Sequence, residues 1–280
     1  MSVTENIDRK TVEGFGDEWD AYDQSTLSDV ELDDLWNRYF SIFPFERLPP
    51  KAEGFDLGCG SGRWARRVAP RVGKLHCIDP AENALNVARR NLADANNVAF
   101  HLASVDHLPL ADASQDFGYS LGVLHHIPDT RAALERCTAK LKPGAPFLLY
   151  LYYAFDTRPA WFRGLWKISD LARQGISRLP FGARRRLTSG IALTVYWPLS
   201  RMARLLARRG VNVEAFPLSA YRDTSLYTLR TDALDRFGTR LEQRFTRAQM
   251  LAMMEAAGLT YIRFRDDTPY WVAVGVKAPC

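Results

Sequence analysis

Residues Gly54 to Ala65 read GFDLGCGSGRWA: an apolar run ends at Asp56-Leu57, three alternating glycines follow, and a helix is expected from near Arg63. Gly58, Gly60 and Gly62 let the backbone turn sharply and approach a ligand without a Cβ in the way. A glycine-rich turn from strand to helix commonly serves a nucleotide. A dinucleotide fingerprint, G-x-G-x-x-G, fails because Arg63 occupies the third glycine position, and no G-x-x-x-x-G-K-[ST] sequence occurs. Both absences count against NAD and ATP.

Outward from this turn, short apolar runs alternate with amphipathic segments. Gly54 to Leu57, Lys74 to Ile78, Val98 to Leu102, Phe117 to Leu121 and Ala145 to Tyr152 read as strands. WARRVAPRV, NALNVARRNLADA and TRAALERCTAKL carry apolar residues three and four apart, as a helix with one buried face requires, and LKPG reads as a helix stop. This alternation predicts an open, mainly parallel α/β sheet covered on both faces. After Tyr153 it gives way to a segment rich in Arg, Trp and Pro, expected to be a helical cap inserted after strand five. TRAQMLAMMEAAG, LTYIRFR and YWVAVGVK then restore helix, strand, strand, the last two separated by DDTP and read as an antiparallel edge. The expected organisation is a helical lid over residues 1–50, a ligand-binding core over 51–154, a basic cap over 155–230, and a helix with strands completing the core over 231–280.

DLGCGSG resembles, residue for residue, the first-loop signature of class I S-adenosylmethionine-dependent methyltransferases, and CIDP and VAFHLASVDHLPLADASQDFGYSLGVLHHIPD continue the resemblance to small-molecule and quinone methyltransferases. It covers roughly Phe15 to Tyr153, and more weakly the C-terminal stretch. The resemblance implies a Rossmann-like fold, S-adenosylmethionine as cofactor, and methyl transfer to a small-molecule acceptor. It implies that Asp79, ending the second strand, accepts both ribose hydroxyls, and that the backbone around Gly58, Cys59, Gly60 and Gly62 contacts the methionine portion beside a helix N-terminus. Asp56 reads equally as a ligand of the cofactor amine and as an anchor of the glycine loop. Arg63 reads as a carboxylate contact or a solvated helix residue. Pro80, Ser104, Val105 and Leu121 complete the implied cofactor set. Ser104 departs from the family's G-D-A, placing a hydroxyl where relatives have a carboxylate; Asp106 lies two positions on. VEGFGDEWDAYD resembles a lid helix, with Phe15, Trp19 and Tyr22 as candidates to close over the cofactor or to pack in the core.

Methyl transfer from a sulfonium is an in-line displacement, so the protein mainly aligns the acceptor and excludes water. A base is needed when the acceptor is a hydroxyl of high pKa. His125 and His126 in LGVLHHIPD fall past the carboxyl end of the fourth strand, where an open α/β sheet binds ligands. On an extended chain they would point to opposite faces, one to the cleft as general base and one inward, with His125 slightly ahead for the cleft. The alternative is that both only shape the loop. No H-E-x-x-H, His-x-His or clustered ligand set occurs, so no metal is expected. Tyr152, Tyr153 and Arg240 are the candidate acceptor contacts. The charges of TDALDRFGTRLEQRF read more simply as ion pairs on a solvated helix. Oxygen is the expected acceptor atom; carbon or nitrogen, a quinone or lipid-like acceptor, and an inactive cofactor-binding scaffold stay open.

Composition bounds the rest. The 280 residues are 47% hydrophobic, enough for a sizeable core, and Cys59, Cys77, Cys137 and Cys280 lack CxxC spacing, as reduced cytoplasmic thiols do. The polar start of the chain has no secretory apolar segment, and no run of about 18 apolar residues spans a bilayer. Cytoplasmic location is expected. The net charge is +5, but Arg158 to Arg209 holds eleven Arg and Lys167 against Asp170, leaving 25 bases and 31 acids elsewhere. That basic stretch reads as a cap, as a peripheral membrane contact, or as an RNA-phosphate contact; the last lacks any recognised binding module.

Overall fold

The structure is a computed structural model that describes residues 5–24, 27–267 and 271–279. Cys280, and the Thr268, Pro269 and Tyr270 part of the expected last turn and strand, lie outside the described residues. The strands are β1 (Glu53–Leu57), β2 (Lys74–Asp79), β3 (Val98–Leu102), β4 (Phe117–Leu121), β5 (Pro146–Tyr150), β6 (Leu259–Phe264) and β7 (Val272–Lys277). They form one sheet in the order β3-β2-β1-β4-β5-β7-β6. β1 to β5 pair parallel, β7 pairs antiparallel with β5, and β6 antiparallel with β7. The order reverses between β1 and β4, which opens a crevice at the carboxyl ends of those strands.

The chain divides into two units, one of residues 1–26, 33–154 and 241–280, the other of residues 27–32 and 155–240. In the first, α1 (Arg9–Ala21) starts where the Asp8 carboxylate accepts the Thr11 amide at 2.7 Å. After α2 (Asp29–Phe40) and β1 the Gly turn leads into a short α3 (Ala65–Val68). α4 (Glu82–Asn91) buries Ala84, Leu85, Val87 and Ala88 on one face, and Gly16 of α1 faces Ala81 and Asn83 at its start. α5 (Thr130–Ala139) is capped by Asp129, and the tenth helix, Arg247–Ala256, by a Thr246/Gln249 capping box. The core of this unit joins Leu75, Leu85, Phe117, Tyr119 and Leu148 with the rings of Phe40, Phe43 and Trp64.

The second unit contains α6 (Ala160–Ile176), α7 (Phe181–Ile191), α8 (Trp197–Arg208) and α9 (Leu226–Gly238), making the Arg247–Ala256 helix α10. α7 runs into α8 through a π turn at Ala192–Tyr196. Its own core is Ile176, Ala192, Tyr196, Leu229, Ala233 and Phe237. Because α9 supplies half of that core, the unit extends to Arg240 rather than to residue 230.

Candidate active site

The backbone leaves β1 at Leu57 and turns through Gly58, Gly60 and Gly62, all at positive φ (75°, 53° and 76°). A Cβ on Gly58 would stand 2.3 Å from a Val123 methyl, and one on Gly60 2.9 Å from the Trp19 indole. Only glycine holds this turn. The Ile78 carbonyl accepts the Gly58 and Cys59 amides at 2.8 and 3.2 Å. Asp79 does the rest: one carboxylate oxygen accepts the Gly60 amide at 3.0 Å, the other the Ala81 amide at 2.9 Å.

Anchoring therefore belongs to Asp79 and not to Asp56. Asp56 is buried beside the Tyr119 hydroxyl, which favours the charged carboxyl, and it makes no bond to the glycine loop. Burial dominates and, with the Asp79 charge adding to it, pushes the Asp56 pKa up to about 8. Burial also raises Asp79, to about 6, against the pull of its two amide donors. Near neutral pH the chain thus keeps a mostly ionised Asp79 next to a mostly protonated Asp56.

Beside Asp79 opens a cavity of about 120 Å³, far beyond the roughly 10–15 Å³ one water needs. Leu57 and Gly58 line it from β1, Asp79, Pro80 and Ala81 from β2, Ser104 and Val105 from the end of β3. Leu121, Gly122, Val123, His126 and Ile127 line it after β4, and Asn6, Ile7, Asp8, Thr11, Val12, Phe15 and Trp19 from the N-terminal segment and α1. Of the expected cofactor residues, Gly58, Asp79, Pro80, Ser104, Val105, Leu121 and Trp19 are brought together here. Gly60 and Gly62 shape the turn behind it. Cys59 is a buried core side chain, as is Tyr22; neither lines the cavity, so the expected lid face splits, Trp19 toward the cavity and Tyr22 inward. Asp106 is engaged by the Asn6 amide and by Arg136, 3.2 Å away, which leaves Ser104 as the polar side chain at that wall. Arg63 bonds Gln24 at 3.0 Å and lies over the Trp64 ring.

The two histidines sit in a 3-10 turn, Leu124–His126, not on extended chain, so their rings are neighbours, 4.1 Å between centroids. His126 lines the cavity and His125 does not, the reverse of the expected ranking. His125 is fully buried, stacked on Tyr152 at 3.8 Å, with both ring nitrogens unpartnered. Burial first, then the His126 and Arg244 charges, hold its pKa well below the usual range, so it stays neutral. His126 Nδ1–H donates to the Leu241 carbonyl at 2.7 Å, which fixes the tautomer and makes Nε2 the basic nitrogen of the neutral ring.

The expected acceptor contacts lie elsewhere. Tyr152 stacks between His125 and the Arg244 guanidinium, 4.9 Å from its ring; Tyr153 is buried against Trp271. Arg240 belongs to the helical unit and bonds the Ser177 carbonyl at 3.4 Å. The neighbouring charges do not all sit on a solvated helix either: Glu242, its side chain 1% exposed, pairs with Arg244 at 2.8 Å. Sequence reasoning missed Asn6, Asp8 and Thr11. Asp8-x-x-Thr11 carried a helix-start signal, whereas the Asn6 side chain reaches Asp129, bonding its carbonyl and its amide at 2.8 and 2.7 Å, which no local pattern encodes. Among the described residues no group of three or more His, Cys, Asp or Glu could hold a metal ion.

A cavity at the reversal of a mainly parallel sheet, with a buried carboxylate at the end of β2, is the Rossmann-like arrangement of class I S-adenosylmethionine-dependent methyltransferases. Residues 55–149 match the family described as "Methyltransferase domain". It is 30% identical over 120 residues to the ubiquinone biosynthesis O-methyltransferase of Methylocella silvestris, covering 40% of this chain and 47% of that protein. It is 32% identical over 111 residues to phosphoethanolamine N-methyltransferase 2 of Caenorhabditis elegans, covering 39% and 25%. The matches thus span about half or less of these relatives' length. In fold, the chain resembles an O-methyltransferase family protein from Burkholderia thailandensis (TM-score 0.54, 15% identity, covering 92% of this chain and 59% of that one). The CurJ carbon methyltransferase is similar to the same degree (TM-score 0.54, 14% identity, 98% and 62%).

The cavity fits the cofactor of that family. Asp79 has acceptor capacity beyond its two amide bonds, apolar Pro80, Val105 and Leu121 suit an adenine, and the Gly58 turn admits close backbone approach.

Proposed function

We propose that this chain is an enzyme that methylates an oxygen of a small-molecule acceptor, with S-adenosylmethionine held in the Asp79 cavity. The observation that carries the reading is Asp79, whose one carboxylate braces the Gly60 turn and lines the cavity, so that loop shape and ligand binding depend on the same group. The cofactor supplies a methyl carbon on a positively charged sulfur, so the acceptor oxygen gains the methyl as the carbon–sulfur bond breaks. Asp79 accepts from the ribose hydroxyls, and Ser104 meets the adenine edge. Phe15, Trp19 and Val12 from α1 exclude water. His126 Nε2 takes the acceptor hydroxyl proton while Nδ1–H stays on the Leu241 carbonyl, which orients the ring before and after transfer. His125 and Tyr152 support that loop from behind rather than touching the acceptor. Cytoplasmic location is part of the reading, supported by Cys59, Cys77 and Cys137 being buried free thiols. Nucleic acid is not part of it.

The test is incubation with methyl-labelled cofactor and a panel of phenolic, sugar and amine acceptors, followed by mass analysis. Labelled oxygen in a product supports the reading. Label on nitrogen or carbon, or cofactor binding without any transfer, contradicts it.

A further inference from the structure

The helical unit turns much of its apolar surface outward. On α6, Trp161, Leu165, Ile168 and Leu171 recur at helical spacing and are 54%, 50%, 67% and 68% exposed. The inward face of the same helix carries Ile176, in the unit's core, and Arg173, 7% exposed, which bonds the Thr239 and Arg240 carbonyls and the Asp170 carboxylate. The exposed row is thus additional to the apolar contact that α6 makes with its own core. Along the α7 to α8 helix, Leu193 and Leu205 are also about half exposed. Single exposed leucines are ordinary, but a row of four on one helix face marks a surface that binds something.

Charge identifies the partner. Exposed Lys167 borders the α6 row, exposed Arg163 lies elsewhere on α6, exposed Arg186 and Arg208 belong to the next helices, and the stretch from Arg158 to Arg209 carries +11 while the remainder carries −6. A second copy presenting the same face would set this charge against itself. A polyanion such as RNA would satisfy the cations and leave the aliphatic row in water. A bilayer with anionic lipids satisfies both, headgroup phosphates taking the Arg and Lys side chains and the acyl boundary taking Trp and Leu. No helix among the described residues is long and apolar enough to cross a membrane, so the contact would lie along its surface.

We infer that the outward face of α6, together with exposed basic residues of α7 and α8, docks on an anionic lipid bilayer. The inference does not depend on the methyl-transfer reading.

The experiment is flotation of the full chain with phosphatidylcholine vesicles, with and without phosphatidylglycerol. The chain floats with phosphatidylglycerol vesicles and only weakly without them. Leu165→Asp/Ile168→Asp lowers the bound fraction by about tenfold or more at an unchanged melting temperature, because both positions are exposed. Arg186→Gln/Arg208→Gln lowers it comparably and flattens its salt dependence. Absence of flotation overturns the inference. So does wild-type binding by the Leu165→Asp/Ile168→Asp variant, which would mean charge alone, and so does a lipid-free dimer that this variant dissociates, which would mean self-association.

Discussion

His126 and Leu241 are joined by a hydrogen bond of 2.7 Å from the imidazole Nδ1–H to the backbone carbonyl, across a sequence separation of 115 residues. The Leu241 amide in turn reaches the Thr11 hydroxyl at 3.3 Å, and the Gln243 amide holds the His125 carbonyl at 3.0 Å. One short segment thereby ties the first helix to the loop carrying the proposed base. His126→Ala is predicted to lower kcat by roughly 10²- to 10⁴-fold, the range of general-base catalysis. His125→Phe, which keeps the stack on Tyr152 and replaces two unpartnered nitrogens by carbon, retains kcat within about threefold. Equal losses in both variants would assign the pair to loop shape alone.

Asp56 and Asp79 make stability depend on pH in a defined direction. Their folded pKa values, about 8 and about 6, exceed the ordinary 3.8, so folding favours their protonated forms. That contribution is complete below pH of about 4 and is lost as pH rises through about 6 for Asp79 and about 8 for Asp56. The melting temperature of the ligand-free protein should therefore fall between pH 6 and 8, and Asp56→Asn should flatten this fall. Parallel curves for wild type and variant would mean that Asp56 does not titrate there.

Gly58 is constrained twice, by its φ of 75° and by Val123, which a Cβ would approach to 2.3 Å. Gly58→Ala should lower unfolding free energy by roughly 1–3 kcal/mol in urea titrations. Gly58→Ala/Val123→Ala relieves the clash but not the backbone strain, so it should lose less than the two single changes summed. Wild-type stability of Gly58→Ala would contradict the turn described here.

The parts of the fold that repeat a local rule were legible in the sequence. Val98–Leu102 and Phe117–Leu121 are strands with the expected bounds, because each is a short, mainly apolar run that follows a polar residue, Asn97 or Asp116. The glycine turn and Asp79 were legible through spacing. What escaped depends on distant partners. Nothing in LGVLHHIPD announces a 3-10 turn, and its form brings His126 rather than His125 to the cavity. The loop anchor passed from Asp56 to Asp79 because the Gly60 amide folds back toward β2. The Asn6 clasp on Asp129 spans 123 residues, and the reach of the helical unit to Arg240 follows from Leu229, Ala233 and Phe237 packing with Tyr196, not from composition.

The central claim is that the cavity beside Asp79 holds S-adenosylmethionine. Calorimetric titration of wild type and Asp79→Asn with S-adenosylmethionine tests it most directly. A single-site isotherm in the wild type, weakened about 10- to 100-fold in Asp79→Asn by loss of charge-assisted ribose contacts, is predicted. Absence of heat and of any melting shift in the wild type, or equal affinity in the two proteins, would contradict it.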